Sequence, residues 1–330
     1  MLHANSSMSA AQQNNNPFGR RAPLWLYYEL SPHQWKRPEY LNLCLETAHK
    51  HCGRGFRVVP LTRYDIYKYV PDLRDDIWHV CSHRQRMDVM KWELLSRYGG
   101  LFLDANVLVV RDLTPYLNKL LHHDFVAFGQ ELALASPIQP NPSTQPVRPL
   151  TWAMASRPRG QLATLARQRS HWLLDNKRST VLPKDALDTS HHRVFGKAML
   201  WECMAILQRH STPERSWKYF HVSAQCVGSD AHNQPYTKDR LLTNENIDES
   251  CVQRMHLVPL DPDDTPHTFP SWFVDATREK LLSNRQLLIG KLWRWSLLDE
   301  TPFRENDSAN VTRTMSVASV PRFWASGWVS

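Results

Sequence analysis

No two of the six cysteines (44, 52, 81, 203, 226 and 251) stand in a C-x-x-C pair, and six in 330 residues is too sparse for a disulfide-stapled scaffold. Reduced thiols in a cytosolic protein fit this usage best. No stretch approaches 18 uninterrupted apolar residues, so nothing in the sequence is built to span a membrane. Met1 to Asn16 is polar and rich in Asn, Gln and Ser, without the apolar segment of a signal peptide. The expectation is a cytoplasmic chain, in which the sequons at Asn5, Asn306 and Asn310 carry no sugar. The formal charge is +8, yet there is no long basic run: the cations come in pairs such as Arg20-Arg21, Lys177-Arg178 and Arg157 with Arg159. That pattern describes a basic solvated surface rather than a nucleic-acid module, and it implies no nucleic-acid partner. No internal repeat is present.

What is there is ordinary globular material, 42% hydrophobic and 22% charged, with a high count of thirteen tryptophans. Residues 1–20 read as a disordered tail. Leu24–Tyr28 is a first buried strand, Tyr40–Lys50 carries helical spacing, and Phe56–Pro60 is a second strand. Strand, helix, strand at this spacing predicts a parallel sheet. Between Arg84 and Tyr98, Met87, Met90, Leu94 and Tyr98 recur at helical period, and Gly99-Gly100 stops the helix. Leu101-Phe102-Leu103 then forms a strand that ends in Asp104. Val107–Val110 and Asp124–Gly129 are further apolar runs. Pro137–Pro149, with five prolines, is a loop. Order resumes at Thr151–Ser156, helices cover 160–175 and 194–209, and Arg278–Trp295 is a closing helix. The expected organisation is one domain over 21–297, with a C-terminal tail over 298–330.

Open α/β sheets bind ligands at the carboxyl ends of their strands. Asp104 stands at such an end, and a two-residue turn, Ala105-Asn106, follows it. The preceding helix adds Asp88 and Lys91, three residues apart on one flank. A carboxylate there accepts hydrogen bonds from ribose or sugar hydroxyls, and an ammonium neutralises phosphate. On spacing alone, an ordinary Asp–Lys surface pair, worth a few tenths of a kcal/mol, is the favoured alternative.

The segment MDVMKWELLSRYGGLFLDAN, Met87 to Asn106, resembles the core motif of the capsular-polysaccharide-synthesis glycosyltransferases and of glycosyltransferase family 32. LWLYYE at Leu24–Glu29 is similar to their first strand, TWAMASRPRG at Thr151–Gly160 to the segment after their Pro-rich loop, and HTFPSW at His267–Trp272 to a late family 32 element. The resemblance covers about 24–295, strongly over 84–130 and weakly after 160. It implies a GT-A, Rossmann-like mixed sheet flanked by helices, and a retaining transfer of sugar from a nucleotide-sugar donor, UDP-linked, to a glycan or lipid-linked acceptor hydroxyl.

By the same resemblance, Trp25, Tyr27 and Tyr28 flank the nucleobase. Asp88 and Lys91 hold ribose, donor sugar or phosphate. Asp104 coordinates Mn²⁺ or Mg²⁺, Asn106 stands at the second-ligand position, and His267, Ser271 and Trp272 close over the diphosphate. Lys91 replaces the family arginine and loses its two-pronged grip. Asn106 replaces the second Asp of a strict D-x-D, leaving a neutral oxygen ligand. Both departures motivate a second reading, a non-catalytic nucleotide- or glycan-binding protein of the same fold. The pairs His191-His192 and His79/His83 lack the partners a metal site needs. The aromatic tail Phe323-Trp324 with Trp328 is the one candidate for a peripheral membrane contact.

Overall fold

The computed structural model describes residues 18–19, 21–29, 36–129, 149–178, 195–211, 217–230, 234–245, 247, 249–260 and 269–300, and every structural statement concerns these. The strands are β1 (Ala22–Tyr27), β2 (Phe56–Leu61), β3 (Gly100–Asp104), β4 (Val107–Val109), β5 (Phe125–Phe128), β6 (Leu150–Ser156), β7 (Tyr219–Val222) and β8 (Leu257–Pro259). The longer helices are α1 (Glu39–Cys52), α2 (His83–Tyr98), α3 (Gln161–Arg178), α4 (Lys197–Arg209) and α5 (Leu288–Leu298). Six strands form a mixed sheet in the order β2-β1-β3-β6-β5-β7, and β4 pairs antiparallel with β8 in a ribbon of its own. Within the sheet β6 alone runs against its neighbours. The chain is therefore a mixed α/β structure, a central sheet flanked by helices, as the sequence led one to expect.

Alternation along β1 divides the core between the two faces of the sheet. Trp25 and Tyr27 join Phe102 in a cluster with Met90, Leu94 and residues of α3 and α4. Leu24 and Leu26 join Leu101 and Leu103 in a second cluster with Ala48 and Cys52 of α1. Because β1, β2 and β3 are parallel, Tyr27, Leu61 and Asp104 stand at one edge, and the start of β6 lies there too. This edge is where the chemistry-bearing residues of the sequence converge.

α2 begins with a capping box: the Gln85 amide donates to Ser82 Oγ (3.4 Å) and the Ser82 amide donates to Gln85 Oε1 (3.0 Å). It ends at Gly99 with φ +63, followed by Gly100 with φ +93. The space demands glycine as strongly as the dihedrals do. A Cβ at Gly100 would lie 2.2 Å from the Pro23 carbonyl oxygen, and one at Gly99 would lie 2.4 Å from the Pro158 nitrogen.

Two expectations need correction. α2 is not an amphipathic surface helix with one buried stripe. Met87 to Ser96 are buried all round, and Tyr98, expected in the stripe, is 41% exposed. The helix lies between the sheet and α3, so both of its flanks are covered. The closing segment is also two helices, Arg278–Ser283 and α5, rather than one. Asn284 divides them, its side-chain oxygen accepting from the amides of Gln286 and Leu287 (both 3.2 Å). No helix among the described residues is long and apolar enough to cross a membrane. Residues 1–17, 130–148 and 301–330, with the aromatic residues at 323, 324 and 328, and the histidines 191 and 192 lie outside the described residues.

Burial of α2 on both flanks requires its polar groups to be partnered. Glu93, with a side chain 2% exposed, receives Arg97 (2.9 Å), Arg167 (2.8 Å) and the His171 ring, tying α2 to α3. Burial pushes the Glu93 carboxyl up, but the hydrogen bonds from His171, Arg97 and Arg167 outweigh it, and the net shift is downward. A carboxyl whose folded-state pKa is depressed contributes stability above its unfolded value, near pH 4, which is lost as pH falls below that value. Glu93→Gln should therefore cost about 2 kcal/mol at pH 7. Urea midpoints measured from pH 7 to pH 3 should show the gap between the two proteins narrowing on the acid side. Gly100→Ala should lower the urea midpoint by at least the equivalent of about 1 kcal/mol, since both the dihedral and the contact oppose a side chain.

Candidate functional site

The sequence holds a short charged series, Arg84, Asp88 and Lys91, at i, i+4 and i+7 of a helix. α2 turns all three towards Asp104 at the carboxyl end of β3. Asp88 is 1% exposed, Asp104 3% and Lys91 fully buried. The Lys91 ammonium lies 3.2 Å from Asp88 Oδ1 and 3.5 Å from Asp104 Oδ1, donates to the Thr151 carbonyl at 2.5 Å, and sits 5.1 Å from the centre of the Phe102 ring. Arg84 Nη1 lies 3.4 Å from Asp104 Oδ2. A buried cation shared by two carboxylates is not the hydrated surface pair that spacing alone favours.

The cluster is electrically balanced, two carboxylates against one ammonium and one guanidinium. Its hydrogen bonding is less complete. Asp104 Oδ1 is buried and accepts no hydrogen bond, although Lys91 is at ion-pair distance. A buried acceptor without a donor is costly, and a ligand hydroxyl placed there would relieve it. The Asp104-Ala105-Asn106 turn is itself pinned, because the Leu260 amide donates to the Asn106 carbonyl at 3.0 Å.

A second charged group borders the first. Glu29, just past β1, accepts from Arg86 Nη2 (2.6 Å) and Nε (3.1 Å) and from the Tyr27 hydroxyl (3.1 Å), with His83 Nε2 4.0 Å away. Burial, then the Glu29 charge and its hydrogen bond, push the Tyr27 hydroxyl far above the usual phenol range. Sequence reasoning missed Arg84, Arg86 and Glu29. The helical spacing of Arg84 from Asp88 was the signal for the first; nothing local marked the Glu29 pairing across 57 residues.

The three aromatic candidates of the first strand separate. Trp25 is fully buried, its indole N–H donates to the Gly99 carbonyl (2.8 Å), and its ring meets Tyr69 edge-on at 5.0 Å. Tyr27 is 1% exposed. Both are core residues and neither offers a face for stacking, because alternation turns them under α2. Tyr28 is half-buried, with the Arg37 guanidinium 5.4 Å above its ring.

Ser271 and Trp272 are exposed on the short helix Ser271–Val274, whose Phe273 packs on Tyr40 in the first turn of α1 (5.3 Å). That places them beside the α1 end of the same edge, not within the Asp88–Lys91–Asp104 cluster. His267 lies outside the described residues.

The described residues hold two of the three expected cation ligands, Asp104 and Asn106, since His267 lies outside them. Asp104 and Asp88 share the Lys91 ammonium, Arg84 faces the other Asp104 oxygen, and Asn106 adds a neutral amide. No group of three His, Cys, Asp or Glu among the described residues is placed to hold a metal ion.

No family model matches the chain, and no curated protein matches it in sequence. Solved structures give a likeness of fold. One is described as the PaToxG glycosyltransferase, at 9% identity and TM-score 0.35, covering 59% of this chain and 75% of that one. Another is a glycosyltransferase involved in glycosylation of the major capsid of PBCV-1, at 10% identity and TM-score 0.35, covering 72% and 93%. A third is the apo form of the glycosyltransferase GlyE of Streptococcus pneumoniae TIGR4, at 10% identity and TM-score 0.39, covering 84% of this chain and 60% of that one. At these values the likeness carries no argument about activity, which has to stand on the residues of the site.

Replacing Lys91 with Met would leave two buried carboxylates facing one another with only Arg84 nearby. The expected loss is about 3–5 kcal/mol of folding stability. Lys91→Arg keeps the charge and should recover more than half of that loss in the same urea titration.

Proposed function

We propose that this chain is a nucleotide-sugar-dependent glycosyltransferase. The observation that carries the reading is the buried Asp88–Lys91–Asp104 cluster at the carboxyl edge of parallel strands, in a segment whose sequence resembles the donor-site motif of GT-A enzymes. Supporting it is the unsatisfied acceptor on Asp104, which suits a ribose or sugar hydroxyl.

In this reading the donor is a UDP-sugar and the acceptor is the hydroxyl of a glycan or a lipid-linked glycan. The bond between the anomeric carbon and the diphosphate oxygen breaks, and a new bond to the acceptor oxygen forms on the same face of the sugar. The acceptor hydroxyl gives up its proton, and nucleoside diphosphate leaves. Asp104 and Asp88 orient donor hydroxyls by accepting hydrogen bonds. Lys91 holds both carboxylates in place, so its role is to position them. Negative charge grows on the leaving diphosphate, and cationic groups at the strand edge oppose it.

A panel of UDP-, GDP- and TDP-sugars, with Mn²⁺ or with EDTA, tests the reading through released nucleoside diphosphate. Release should come from one donor and fall at least about 100-fold in Asp104→Asn, which keeps the shape of the side chain while removing its charge. Thermal melts of the same variant report whether it folds, and Asp88→Asn provides a second variant if it does not. No release from any donor would move the assignment to a non-catalytic binding protein. Unchanged release from folded Asp104→Asn and Asp88→Asn would remove both residues from the site. Release that persists in EDTA would show a reaction without a divalent ion.

A further inference from the structure

Arginines along this edge are paired almost everywhere: Arg86 with Glu29, and Arg84 with Asp104. Arg63 has no carboxylate partner among the described residues, but it is exposed to solvent and lies over the Trp78 ring at 4.4 Å. Arg37 is different. It is half-buried just ahead of α1, beside a small apolar hollow of about 10 Å³ lined by Leu26 of β1, Tyr28, Leu41 of α1, Pro60 of β2 and Ala105 of the Asp104 turn. Among the described residues no carboxylate faces it, and its neighbour is the Tyr28 ring. Burial pulls its pKa down, the Tyr28 hydroxyl opposes this, and no carboxylate among the described residues offsets the desolvation.

A desolvated guanidinium without an anion is unfavourable, and a fork of five donors is matched best by carboxylate or phosphate oxygens. The hollow opens where the carboxyl ends of β1 and β2 meet the turn after β3, the edge at which open α/β sheets take phosphorylated ligands. We propose that Arg37 is an anion-binding residue of this site and takes phosphate oxygens of the nucleotide diphosphate, with the Tyr28 ring as the adjoining wall. The assignment rests on the donor-site reading above and adds to it a side-chain cation on the face opposite Lys91. It also gives the site a positive charge directed at the leaving group that needs no metal ligands from the described residues.

Isothermal titration of the full chain with UDP, inorganic pyrophosphate and uridine tests this. Arg37→Gln should weaken UDP and pyrophosphate by roughly 10-fold or more, while uridine binding stays within twofold of wild type. Arg37→Lys should recover part of the loss, and Arg63→Gln should change none of the three by more than twofold. Thermal melts of each variant separate a binding loss from misfolding. Equal weakening of uridine and UDP in Arg37→Gln would make Arg37 a packing residue. Unchanged UDP binding in that variant, or no binding of either phosphate probe to the wild type, would overturn the proposal.

The two readings fail separately. If pyrophosphate binds through Arg37 while no nucleotide or nucleotide-sugar does, the anion site stands and the donor reading falls. If Asp104-dependent donor turnover survives Arg37→Gln with unchanged KM, the donor reading stands and the role of Arg37 falls.

Discussion

A lysine ammonium held fully out of water between two carboxylates is the constraint on which this molecule turns. An unpaired ammonium at that depth would cost several kcal/mol. Lys91 is tolerable because Asp88, Asp104 and the Thr151 carbonyl surround it. Those three partners come from α2, from the end of β3 and from the start of β6. Docking α2 on the sheet and pairing β6 with β3 are thus coupled to the same charge. The glycine turn after α2 serves the same end, because it brings β3 straight back along the helix so that residues 16 positions apart can meet (104 − 88).

Such a cluster is an uneconomical way to stabilise a fold. Replacing a buried ion pair by apolar residues of similar volume is often neutral or better. Its placement is what argues for a ligand: it lies at the carboxyl edge of parallel strands, with one acceptor oxygen left without a donor and two further arginines within the same rim. The surrounding pairs divide the labour. Glu93 with its three donors ties α2 to α3 far from the edge, while Glu29 with Arg86 borders the site itself.

Much of this was legible from the residues. The apolar run Leu24–Tyr28, the helix ending at Gly99-Gly100 and the strand ending at Asp104 each carried a local signal strong enough to place them. Three things were not local. Periodicity in α2 showed one apolar stripe but could not show that the sheet and α3 together cover its flanks, so on spacing alone the Asp88–Lys91 pair read as a surface pair. The division of the closing helix at Asn284 depends on two side-chain hydrogen bonds that compete with the helix, which the apolar pattern on either side conceals. The nucleobase assignment for Trp25 and Tyr27 followed the resemblance, whereas both faces of β1 are core, and Tyr28 is half-buried because it lies past the strand's end. Arg37 carried no motif at all, and its interest comes from what surrounds it.

Hydrogen–deuterium exchange of the full chain, with and without a nucleoside diphosphate, tests most directly whether the buried charge cluster marks a ligand site. The account predicts slowed exchange in peptides spanning 24–29, 83–91 and 101–106, with little change in α4 or the β4–β8 ribbon. Protection confined to other parts of the chain, or none with any of UDP, GDP, ADP and TDP at millimolar concentration, would contradict it and leave Lys91 as a structural residue alone.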